Sequence, residues 1–137
     1  MTATATTTTA RPARRAHVAH VALWVLQVLL AALFLFSASG KFAADPTTVA
    51  GFEVMGLGGP GMYAIGVLEV LGAIGLLVPR LTGLAALGLV ALMTGAVILT
   101  AVFVGAAMAV VPGTVLVLVA IVARGRREST LALLRRR

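Results

Sequence analysis

One acidic side chain stands alone in an apolar run. Glu69 is the only charged residue between Met62 and Val78. A carboxyl in such surroundings pairs with a cation, accepts hydrogen bonds, or keeps its proton and serves as an acid or base, because desolvation disfavours its charged form. If the helix begins at Met62, Glu69 lies about 10 Å along it at 1.5 Å per residue. An acidic residue at the centre of a membrane helix costs about 3 kcal/mol, against about −0.3 to −0.6 for each Leu, Ile or Val. The nine such residues here, from Ile65 to Val78, sum to about −4 kcal/mol on that scale. One glutamate offsets most of that preference, so it should face inward and find a partner.

Candidate partners lie on the preceding run. Gln27, Ala31, Phe34, Ala38 and Lys41 continue a stripe that starts at His20 and Trp24, in steps of four and three. Ser37 sits beside Lys41, one turn deeper. A Glu69–Lys41 ion pair, or a Glu69–Ser37 hydrogen bond, is the first expectation, since a lysine at a helix end bends along the helix. Gln27 lies nearer the other end of its run, and a bond to Thr94 or Thr100 is expected only where the helix tilts permit it. Three roles stay open for Glu69: a lock on helix orientation, a ligand or proton contact, or an exposed position.

Other chemistry is excluded or unsupported. With no cysteine, the chain has no disulfide, thiolate metal site or iron–sulfur cluster of its own. No Ser-His-Asp set, zinc-protease motif, phosphate loop or dinucleotide fingerprint occurs, and no metal site is expected. His17 and His20, both on one run, cannot form a bis-histidine haem site across two helices, and they read as interfacial residues.

The elements that must hold these residues follow from composition. Of 137 residues, 61% are hydrophobic and 11% charged, with mean hydropathy +1.10. Too few charges exist to clothe a water-facing surface, and disordered chains are polar. The fold class expected is all-α, an integral membrane four-helix bundle with the lipid bilayer as solvent. Helices are expected at about 20–40, 62–79, 81–102 and 106–123. The last two share 43 uncharged residues between Arg80 and Arg124, enough for two spans of roughly 20 residues. Their turn is placed near Phe103–Ala107, which puts Pro112 in the second turn of the last helix, with a local kink. The first apolar run is too long for a signal peptide and lacks a good cleavage site, so it is read as retained.

Three domain segments result: a disordered Thr/Ala-rich and basic tail (1–17), the helical domain (18–123) and a basic tail (124–137). Arginines crowd the two tails, Arg80 lies in the second loop, and the first loop has Lys41 with Asp45 and Glu53. That distribution puts both termini in the cytoplasm. The net charge of +7 is read as topology signal and lipid contact, with no nucleic-acid partner. Asp45-Pro46 reads as a cap and first residue of a short outer helix over 46–55, ending at Gly56, with Val49 and Phe52 on one face. Gly58-Gly59-Pro60-Gly61 reads as a flexible turn. Ala91-xxx-Gly95 and Gly105-xxx-Ala109-xxx-Gly113 are small-residue patterns that allow helices to approach closely. The glycines around Glu69, Gly72 among them, pack a neighbour or leave room for a flat ligand.

The segment from Leu33 through Ser37-Ala38-Ser39-Gly40-Lys41-Phe42, then Phe52, then Glu69-Val70-Leu71-Gly72 to Pro79-Arg80, resembles the DoxX family, in its DoxX-like branch. The resemblance runs from about Trp24 to Val122. It implies a four-helix protein of the bacterial inner membrane, with Lys41, Glu69, Gly40 and Gly72 at matched positions. The family's namesake resembles a small membrane subunit of a thiosulfate:quinone oxidoreductase. The implied function is an accessory or anchoring subunit of a quinone-linked redox system, with quinone as the cofactor. Implied partners are a membrane or soluble redox protein and a second copy of the chain. Glu69, Lys41, Ser37, Gln27 and Gly72 are the candidate binding residues. The alternatives are a small enzyme using Glu69 as acid or base on a lipophilic substrate, and a small carrier.

Overall fold

A computed structural model describes residues 10–135. Residues 1–9 of the expected N-terminal tail, and the last two arginines, lie outside the described residues. The chain is all-α, and among the described residues no strand occurs. Six helices follow in order: α1 (Ala10–Phe42), α2 (Pro46–Val54), α3 (Gly58–Leu77), α4 (Thr82–Leu99), α5 (Val110–Gly125) and α6 (Arg127–Leu134). A π-helical turn, Thr100–Val104, extends α4. Three of these are long and apolar enough to cross a membrane: Pro12–Phe42, Gly58–Leu77 and the combined Thr82–Val104. The apolar α5 is shorter, at 16 residues.

Packing runs around a ring. Helix α1 packs on α3, α3 on α4, α4 on α5, and α5 back on α1, and among the described residues no Cα atoms come within 8 Å across either diagonal. The inward faces carry Leu30, Phe34, Leu76, Leu89, Val119 and Val122, all nearly inaccessible. Outward, Leu29, Phe36, Leu71 and Val102 are exposed. Large apolar side chains on the outside are costly in water and favourable in lipid, so the exterior fits a membrane protein.

Several boundaries differ from the sequence expectation, each for a local reason. Helix α1 starts at Ala10, so residues 10–17, expected in a disordered tail, are helical and bring Arg14 and Arg15 onto its first turns. Helix α3 starts at Gly58, and the expected flexible turn is its first turn. Pro60 fits there because the first N–H groups of a helix have no intrahelical partner. The same reason removes the expected kink at Pro112: α5 begins at Val110, so the proline falls in the first turn. In the expected C-terminal tail, residues 127–134 form α6.

The outer helix follows the expected signals. Asp45 caps α2 by accepting a hydrogen bond from the Thr48 N–H at 3.1 Å, and Pro46 opens the helix. Gly56, at φ +73°, ends it, with the Leu57 N–H returning to the Phe52 carbonyl at 3.0 Å. Helix α1 stops the same way, with Ala44 at φ +50° and the Asp45 N–H on the Gly40 carbonyl at 3.1 Å. Between α3 and α4, the buried Thr82 hydroxyl donates to the Val78 and Leu76 carbonyls at 3.0 and 3.3 Å, satisfying acceptors that the end of α3 leaves free.

At the far end of the bundle α6 sits on the start of α4. A Cβ on Gly83 would meet the Thr130 hydroxyl and lie 2.8 Å from the Arg126 carbonyl oxygen. Arg126 also reaches α1: it approaches His20 Nδ1 at 3.2 Å and stands 5.8 Å from the Trp24 ring centre. The stretch of α1 around His20 and Trp24 therefore meets Arg126 at one end of the ring, and α2 lies at the other. Gly83→Val should displace α6 at a cost of about 1–3 kcal/mol. Hydrogen exchange would show it: faster exchange in residues 127–134 with α1–α5 unchanged is expected, and full protection of α6 in the variant would refute the seating.

Candidate functional site

The buried stripe of α3 reads Met62, Gly66, Glu69, Ala73 and Leu76, at helical spacing. That of α1 reads Gln27, Leu30, Ala31, Phe34, Ala38 and Lys41. Where the two stripes face each other near the end of α1, the carboxylate and the ammonium meet. Lys41 Nζ donates to Glu69 Oε1 at 3.1 Å and lies 2.9 Å from Oε2. It also donates to Ser37 Oγ at 2.8 Å, and the Ser37 hydroxyl donates to Glu69 Oε1 at 3.2 Å. The three polar groups close a small network. Lys41 is 7% exposed and Glu69 3%, so neither charge is solvated by water and each depends on the other.

The 2.9 Å approach to Oε2 is an ion-pair contact without hydrogen-bond geometry, and Oε2 has no hydrogen-bond partner. Above the pair, the Phe52 ring of α2 lies with its centre 5.8 Å from Nζ, a cation–π contact across the end of the bundle. Because Lys41 stands in the last turn of α1, its charge also faces carbonyls at the negative end of that helix. The Ser37 carbonyl is 3.5 Å from Nζ.

A cavity of about 490 Å³ opens beside this network. Its wall is apolar, built from Leu33 and Phe34 on α1, Ile65 on α3, Ala91 to Leu99 on α4, and Val111 to Val115 on α5. Its polar side chains are Ser37, Lys41, Glu69 and Thr100. The volume falls in the range of sites for small organic ligands, which are mostly apolar with a few convergent polar groups. Leu33 and Val111 both line it and are 43% and 69% exposed. The cavity thus reaches the outer, apolar surface between α1 and α5.

Two expected site residues lie elsewhere. Gln27 is fully buried, and its amide donates to the Leu23 carbonyl of its own helix at 3.1 Å. The expected bond to Thr94 or Thr100 is not formed; Thr94 turns instead to the Val90 carbonyl at 2.7 Å. Gly72 is a packing position, since a Cβ there would lie 2.7 Å from Leu89 Cγ. It lets α3 approach α4 and does not line the cavity.

The small-residue pattern Ala91-xxx-Gly95 also differs from expectation. Both residues line the cavity, and a Cβ on Gly95 would meet nothing within 4 Å. Their smallness leaves volume instead of bringing helices together. Gly105, at φ +130°, belongs to the turn before α5, so the second pattern does not continue along one helix. Thr100, Met93 and Pro112 are wall residues that sequence reasoning did not single out; Thr100 was weighed only as a partner for Gln27. Its hydroxyl at the end of an apolar run was the available signal. No group of three or more His, Asp or Glu side chains that could hold a metal is found among the described residues.

The Lys41–Glu69 pairing and the α2 cap occupy the places where the sequence resembles a known family, and comparison with family models agrees. The model of the DoxX-like family matches residues 25–123. The chain belongs to the DoxX-like family. No curated protein and no solved structure matches it. The match takes in α2–α4, residues 25–42 of α1 and nearly all of α5, including every residue that lines the cavity.

In this DoxX-like protein the ion pair should be energetically coupled. Lys41→Ala or Glu69→Ala alone should each cost about 3–5 kcal/mol, because each strands a buried charge. The double variant should cost less than the sum. Unfolding in detergent micelles measures all three, and additive losses would rule the coupling out.

Proposed function

We propose that this DoxX-like protein is an accessory or anchoring subunit of a membrane redox system, and that it holds a quinone-class lipophile in the cavity between its helices. The observation that carries this reading is an apolar cavity of about 490 Å³ that reaches the lipid-facing surface and ends on the buried Ser37–Lys41–Glu69 network. A flat ring with short substituents suits such a volume, and its tail can leave between Leu33 and Val111 without crossing water. Phe34 and Leu99 would flank the ring. Ser37, Lys41 and Glu69 would meet its oxygen-bearing edge. When bound, such a group supplies electron and proton transfer, which this cysteine-free chain needs from a ligand or a partner.

The same reading sets the protein in a bacterial plasma membrane as a four-span bundle, with α5 as the fourth span. Both described ends lie at one end of the ring, together with Arg14, Arg15, Arg80, Arg124 and Arg127. The rule that basic residues stay inside puts that end in the cytoplasm, with α2 at the outer face. A redox protein of the membrane or its surface, and a second copy of the chain, are the proposed partners. The enzyme alternative has less support, because Glu69 and Lys41 engage each other and, among the described residues, no further acid–base group lines the cavity.

Gentle extraction from native membranes, followed by solvent extraction and mass spectrometry, tests the reading. About one quinone-class molecule per chain is expected with the wild type. Gly95→Leu, which fills open cavity space without touching the ion pair, should lose most of it. Equal retention by the two forms, or no redox-active lipid in the wild type, would overturn the proposal.

A further inference from the structure

The hydrogen bonds around Glu69 specify more than an apolar shape. The Lys41 ammonium has three hydrogens and no acceptor capacity. The Ser37 carbonyl, Ser37 Oγ and Glu69 Oε1 accept from it at 3.5, 2.8 and 3.1 Å, and Glu69 Oε2 lies 2.9 Å away without a hydrogen bond. Ser37 has one hydroxyl hydrogen, and it points to Glu69 Oε1. The donors at this end of the cavity are therefore committed. What remains is acceptor capacity: Oε2 is buried with no hydrogen-bond partner. The terminal torsion of the Glu69 side chain is soft, so Oε2 can turn toward the cavity that Glu69 lines. Thr100, the remaining polar residue of the wall, has a hydroxyl that serves as donor or acceptor and does not discriminate.

Charge adds a second condition. Among the described residues Lys41 and Glu69 are the only charged ones on the wall, and they cancel. A phosphate or carboxylate head would leave one charge unpaired in an apolar site, which is costly.

Resting on the proposed lipophile site, we propose that the cavity selects a neutral amphiphile whose head group donates a hydrogen bond to Glu69, a phenol or hydroquinone hydroxyl, over one that only accepts. The site thus takes the reduced, hydroxyl-bearing member of a quinol–quinone pair in preference to the oxidised one. The alkyl part of the ligand lies along the wall of α4 and α5, and the head reaches Oε2 beneath Phe52.

Three matched probes test this: 4-decylphenol, its methyl ether and 4-decylbenzoate at pH 8. Each is titrated into the full chain in phosphatidylcholine nanodiscs, with partitioning into protein-free discs subtracted. The phenol should bind about 10- to 100-fold tighter than the ether, the range expected for one hydrogen bond to a charged group. The benzoate should show no saturable binding. Gly95→Leu should weaken the phenol at least about 10-fold, which places the binding in the cavity. Equal affinity of phenol and ether overturns the donor rule and leaves the lipophile site standing. Tightest binding by the benzoate overturns the neutral-head condition. No saturable binding of any probe, or undiminished phenol binding by Gly95→Leu, overturns the site itself together with this inference.

Discussion

A lysine and a glutamate that have left water together set the terms for the rest of this molecule. Each charge alone would be expensive inside an apolar bundle; at about 3 Å they offset one another and share a serine. Keeping them there requires that α1 and α3 hold a fixed rotation and a fixed relative height. The supporting features serve that requirement. Gly66 lies against Lys41 and Phe42, where a Cβ would be 3.5 and 3.2 Å away. The turn at Ala44 ends α1 just beyond the lysine. Helix α2 then lays Phe52 over the ammonium.

The ring arrangement explains why a cavity exists beside the pair. Four helices whose backbones come close only to those of their neighbours leave space along the middle wherever the inward side chains are small. On the α1–α3 side that space is filled by Phe34, Leu30 and Leu76. Toward α4 and α5 the residues Ala91, Gly95 and Ala96 leave it open. Small residues thus have two opposite uses in one bundle. Gly72 and Gly75 draw α3 and α4 together, while Gly95 holds volume.

Much of the site was legible because membrane burial makes polar residues rare. Glu69 could be picked out as the single charge in its run, and the α1 stripe through Gln27, Ala31, Phe34, Ala38 and Lys41 is buried as its spacing implies. Gln27 misled because a stripe gives the face of a helix and not the partner; its own carbonyl ladder was the nearer acceptor. Gly72 reads the same in sequence whether it admits a helix or a ligand, and its close approach to Leu89 supports the packing alternative. Helix ends were legible where a side chain marks them, as at Asp45 and Gly56. They were not legible at Gly58 and Val110, where tertiary packing extends or delays the helix against weak local signals. Helix α6 was hidden because its charged sequence reads as tail, and its seat on Gly83 depends on a contact 47 residues away at Thr130.

The π turn at Thr100–Val104 has a mechanical meaning. A wider coil holds one more residue per hydrogen-bonded ring than the α-helix it continues, and the Gly105 N–H closes it on the Thr100 carbonyl at 2.8 Å. That extra residue is slack in the phase of the chain. It sets the angle at which the chain leaves α4, and so where α5 starts and places Val111 and Pro112 on the cavity wall.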